Sequence, residues 1–116
     1  MSKAPAFQLY ARDFLVDDTA RLSLEATGAY VRLLCHQWIN GPLPDDLDLL
    51  ARLVGTTVDR FRLVWAEIGD RFPVGDDGRR ANPELESKRL ESIQYRERQA
   101  QQGRKGAKVR WLKGSQ

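Results

Sequence analysis

Five basic residues, Arg104, Lys105, Lys108, Arg110 and Lys113, fall within the last fourteen residues of the chain, with Trp111 among them and no acid. Guanidinium and ammonium groups at this density suit the phosphates of a polyanion, and an indole beside them can stack on a base or wedge into a groove. Gly103 and Gly106 would let the backbone come close to such a ligand. The competing readings are a solvated basic tail, and a segment in which Val109, Trp111 and Leu112 dock on another protein.

Other chemistries find little support. The chain has one cysteine and one histidine, Cys35 and His36. Adjacent residues on a helix point about 100° apart, so the two cannot form a nucleophile–base pair. They also cannot supply a zinc site within one protomer, and a lone cysteine forms no internal disulfide. No glycine-rich phosphate loop, nucleophile elbow or calcium loop occurs, so no catalytic residue, cofactor or metal is expected, and the protein is expected not to be an enzyme. No apolar run approaches the ~20 residues of a membrane span, and Met1-Ser-Lys-Ala-Pro5 precedes no signal-peptide core. A cytoplasmic location without membrane contact is the expectation.

Length and composition bound the scaffold. At 116 residues, 41% hydrophobic and 30% charged, the chain suits one soluble globular domain. Its net charge of +3 is unevenly divided: residues 1–83 hold ten Lys/Arg against twelve Asp/Glu, residues 84–116 nine against four. A slightly acidic body therefore carries a basic end.

The elements that must position that end are legible in outline. Ala6–Leu15 begins with alternating apolar residues and predicts a short strand with Phe7 and Leu9 on one face, followed by a turn at Asp17-Asp18-Thr19. Ser23 is placed to cap a helix ending at Asn40-Gly41-Pro42, with Leu24, Gly28, Val31, Cys35 and Trp38 on its buried face, Leu34 and Ile39 beside them, and Glu25, Arg32 and His36 outside. Asp45, with Asp48, predicts the cap of a short helix whose inner face is Leu47, Leu50, Ala51 and Val54. After Gly55, Thr56 or Thr57 caps a second helix that buries Val58, Phe61, Val64 or Trp65, and Ile68. Two short helices joined at a glycine make a helix-turn-helix pattern.

Residues 71–82 surround Gly75-Asp-Asp-Gly78 and predict a β-hairpin, the wing of a winged helix-turn-helix. The fold class expected is thus mainly α with a small hairpin. Thr56, Thr57, Arg60 and Arg62 would meet a nucleic-acid groove, and Arg79 and Arg80 of the wing a phosphate or minor groove. Asp59 and Glu67 offset the helix arginines, and Asp76 and Asp77 occupy the wing tip, so a purely structural hairpin is the competing reading. Asn82-Pro83-Glu84 starts a C-terminal helix. Leu85, Leu90 and Ile93 anchor it, although Arg89 and Arg96 intrude on that face. The division expected is a winged-helix domain over 1–82, a helix over 83–102 packed at its start, and a flexible basic tail over 103–116.

The segments Ala4–Leu15, Leu24–Trp38, Gly41-Pro-Leu-Pro-Asp45 and Gly103–Trp111 resemble the YdaU-like domain family of phages and prophages, related to the N-terminal domains of phage replisome organisers. Gly28-Ala-Tyr-Val-Arg-Leu-Leu34 and Gly103-Arg-Lys-Gly106 are its most specific parts. The resemblance implies a winged helix encoded near replication functions, often joined to further C-terminal sequence, and no catalytic chemistry. The function expected is DNA binding, single- or double-stranded, in replication initiation or helicase loading. The alternatives are an adaptor that holds a replication protein or self-associates, and a transcriptional repressor.

Overall fold

Four side chains, Ser23, Asp46, Thr57 and Asn82, turn an oxygen onto backbone N–H groups that a helix start leaves unpaired. They begin the four longer helices of the protein. The computed structural model describes residues 6–114, with side chains through Gly106. In chain order the helices are α1 (Ala11–Asp13), α2 (Leu24–Asn40), α3 (Leu47–Val54), α4 (Val58–Ile68) and α5 (Pro83–Gly114). A π turn over Phe14–Asp18 extends α1, and a 3-10 turn over Gly69–Arg71 extends α4. None of the described helices is long and apolar enough to cross a membrane.

The helix α2 lies at the centre, against α3, α4 and the start of α5. Leu33, Leu50, Phe61, Ile68 and Phe72 are fully buried where these elements meet. Tyr30 meets the edge of Phe72 at 5.8 Å, and Phe72 in turn stacks near Trp65 at 6.2 Å. Gly55, with φ +82°, gives α3 its left-handed end and lets α4 start at Thr57. The inner faces expected of α3 and α4 are buried, through Leu50, Ala51 and Val54 and through Phe61, Val64 and Ile68.

The face of α2 is rotated from the expected one. Ala26, Ala29, Tyr30, Leu33, Leu34 and Gln37 are buried, whereas Leu24 is 90% exposed, Ile39 is 64% exposed and Cys35 faces solvent. The reason is chemical: Tyr30 and Gln37 go inside because each finds partners there, so the stripe includes polar residues that a hydrophobicity pattern leaves out. His36 is half-buried rather than solvated, with its Nε2 2.9 Å from the Leu53 carbonyl.

Three other expectations shift. Residues 6–10 form no strand, since no neighbour pairs with them, and Phe7 packs its ring 5.5 Å from Trp38. Asp46, not Asp45, caps α3, because Asp45 is engaged by Arg80 at 2.6 Å. Among the described residues, β-structure is limited to isolated antiparallel bridges that join Arg80 to Leu43 and to Val74. The chain does turn over 75–78, where Gly75 N donates to Arg79 O at 2.7 Å and Gly78 N to Gly75 O at 3.0 Å. Pairing does not spread into regular strands: Pro73 has no N–H, and the Asn82 N–H is taken by the Gln37 side chain at 2.8 Å.

The break expected at Gly103 is absent, and α5 continues to Gly114. Each glycine costs about 1 kcal/mol relative to alanine, but the Gln, Arg, Lys, Ala and Leu around them are good helix formers, and each added residue gains a backbone bond. The basic segment is therefore the end of a helix, with Ser115 and Gln116 outside the described residues.

Candidate nucleic-acid interface

The direction of α5 is fixed by a polar clamp at its root. The fully buried Gln37 side chain accepts from Asn82 N at 2.8 Å and donates to Asn82 O and Glu86 Oε2, both at 3.1 Å. Glu86 in turn accepts a two-pronged hydrogen bond from Arg89, the shortest contact being 2.6 Å, with both side chains less than one-fifth exposed. Hydrogen bonding from Arg89, helped by Gln37, holds the Glu86 carboxyl below its usual pKa despite partial burial, and Glu86 holds the Arg89 guanidinium above its own. Arg89, an apparent intruder on the apolar face, thus fastens the helix. Its guanidinium also lies against Gly41, whose φ of +87° and missing Cβ leave room for it.

From this root α5 leaves the body. Leu85 is buried and Ser92 and Ile93 are half-buried, but Gln94 through Lys105 are exposed. A helix of 32 residues is about 48 Å long, and the molecule extends 68 Å along its longest axis. From Arg98 to Gly114 the helix carries six basic residues and no acidic one. Arg104 and Lys105 are placed on this exposed stretch. The backbone of Lys108, Arg110, Trp111 and Lys113 continues the same helix, while their side chains lie outside the described residues. Arg98 belongs to the same acid-free run, from which the division expected at residue 102 separates it. The signal available was that Glu97 is the last acid in the chain.

The other candidate residues lie on the body and are largely occupied. Thr57 caps α4 by accepting from Arg60 N at 3.3 Å, and half-buried Thr56 donates its N–H to Ala51 O at 3.0 Å. Arg60 faces Glu25 at 3.7 Å in an exposed pair, and Arg62 is exposed. Arg79 donates to Pro42 O at 3.1 Å. Arg80 is the most committed: it binds Asp45, donates to Phe72 O at 2.9 Å and lies 5.2 Å above the Trp65 ring. Its guanidinium closes the body around the turn and is not available to a ligand without breaking those contacts. Nor does the structure give Cys35 and His36 a common site, since one is exposed and the other bonded to Leu53 O.

These features define a small, mainly helical protein with a buried polar clamp and a protruding basic helix. The chain belongs to the family described as "Protein of unknown function (DUF1376)", whose model matches residues 5–89. The match covers the body and the clamp and ends at Arg89. No curated protein and no solved structure gives a significant match to the chain.

Proposed function

We propose that the protein binds nucleic acid through the outer half of α5, as an accessory factor in phage-type DNA replication, at initiation or helicase loading. The observation that supports this is the helix, exposed from Gln94 through Lys105, that carries six basic and no acidic residues over its last seventeen positions. A helix about 10–12 Å wide suits a major groove of about 12 Å, so duplex DNA is the ligand this shape favours. The winged-helix reading of the body draws support from the glycine-jointed α3–α4 pair and from the bridged turn at 75–78, which follows α4 as a wing would. The replication setting rests on the resemblance through Gly28–Leu34 and Gly103–Trp111.

On this reading the body supplies little of the affinity. Arg80 is bound internally and Arg60 faces an acid, so the phosphate contacts come mainly from α5. The test is the salt dependence of DNA binding by the full chain and by a variant with Arg104, Lys105, Lys108, Arg110 and Lys113 all changed to Gln, which preserves helix propensity. If all five meet phosphates, the log–log slope falls by up to ~4.5 units. Equal slopes would refute the assignment.

A further inference from the structure

The N-terminal segment leaves much apolar surface open: Leu9, Tyr10, Leu15 and Val16 are between 47% and 68% exposed. Between this segment, α2 and the start of α5 runs a cleft of about 300 Å³, with Tyr10, Phe14 and Leu85 among its walls. Its rim is acidic, with Asp13, Asp17, Asp18 and Glu84. The nearby cations leave most of that charge unanswered. Lys88 reaches Glu84 at 3.4 Å and lies 5.8 Å from the Tyr10 ring, while Arg71 is turned to the Asp18 carbonyl and the face of Tyr30. Among the described residues no cation lies within ion-pair distance of Asp13 or Asp17.

We propose that this cleft receives the basic end of α5 from a second copy of the chain. The chemistry of the two surfaces is complementary. The cleft offers carboxylates around an aromatic and aliphatic floor, and Arg104–Lys113 offers five cations around Val109, Trp111 and Leu112. The chain's own α5 end cannot serve. Glu84 on the rim and Trp111 stand 27 residues apart on one continuous helix, about 40 Å, so the contact forms only between molecules. Reciprocal exchange closes a two-fold dimer, and one-way insertion builds a head-to-tail chain. This pairing needs the cleft, which nucleic-acid binding does not, so the two ideas fail separately.

Sedimentation of the full chain at about 100 µM and about 20 mM salt should show association that weakens roughly tenfold at about 300 mM. Asp13→Lys with Asp17→Lys should weaken it roughly tenfold or more, as should Arg104→Glu with Lys105→Glu. Mixed together, the two variant proteins should associate with each other, because one retains an intact α5 end and the other an intact cleft. A synthetic peptide of residues 103–116 should compete with association of the unaltered chain, a readout that does not depend on any variant folding. A wild-type chain that stays monomeric at low salt overturns the proposal. So does association that ignores both the peptide and the substitutions.

Discussion

Replacing Gln37 with Leu should cost the protein about 1–3 kcal/mol, a figure that follows from the clamp at the root of α5. Gln37 is fully buried, and leucine has a similar volume, so the cavity contribution is small. What disappears is hydrogen bonding: the acceptor for Asn82 N, the donor to Asn82 O and the donor to Glu86 Oε2. An unpaired buried polar group costs about 1–3 kcal/mol. Of the groups that lose Gln37, only the N–H of half-buried Asn82 is left without a partner, because Asn82 O still accepts from Glu86 N at 2.9 Å and Glu86 keeps Arg89. For a domain of this size the change lowers the melting temperature by roughly 5–15 °C. Urea unfolding gives the free energy, and amide exchange at Asn82 should accelerate more than at Leu50 in the core. Gln37→Glu is a sharper control, for it keeps the acceptor but sets a carboxylate against Glu86 and should be less stable than Gln37→Leu near neutral pH. If Gln37→Leu unfolds within about 0.5 kcal/mol of wild type, the clamp is not what secures α5.

Acid should loosen the same clamp. Because Arg89 depresses the folded-state pKa of Glu86, the ionised carboxylate stabilises the protein above its ordinary value of 4.5, and that contribution is lost as pH falls below it toward the folded value. The stability gap between wild type and Glu86→Gln should therefore be largest above pH 4.5 and shrink on acidification; a gap that stays constant down through that range would contradict the pairing. Further along α5, an added Cβ at Gly103 or Gly106 meets no atom within 4 Å. Changing both to Ala should strengthen the outer helix by about 1 kcal/mol per site and raise the helical circular dichroism signal. An unchanged signal would mean that propensity at these sites does not limit the outer helix.

How far the sequence discloses this structure depends on where each residue finds its partners. Helix starts were legible because capping is local: Ser23, Thr57 and Asn82 need only the N–H group three residues ahead. The helix ends at Gly41 and Gly55, both at positive φ, were legible for the same reason. The buried face of α2 was not, since Gln37 becomes a core residue only through Asn82 and Glu86, 45 and 49 residues away. Asp45 looked like the cap of α3, but Arg80 takes it from 35 residues away, and the neighbouring Asp46 caps the helix. The basic end was plain from charge alone. Its shape was not, because two glycines suggest a break where the surrounding helix formers sustain the turn.

Whether the outer half of α5 contacts nucleic acid is decided by fluorescence anisotropy with a labelled duplex across a salt series. It requires the unaltered chain beside the variant in which Arg104, Lys105, Lys108, Arg110 and Lys113 are Gln. The former should bind tightly and with steep salt dependence, and the latter with a log–log slope smaller by up to ~4.5 units. Binding that is indifferent to the five substitutions, or absent from the unaltered chain at low salt, would contradict it.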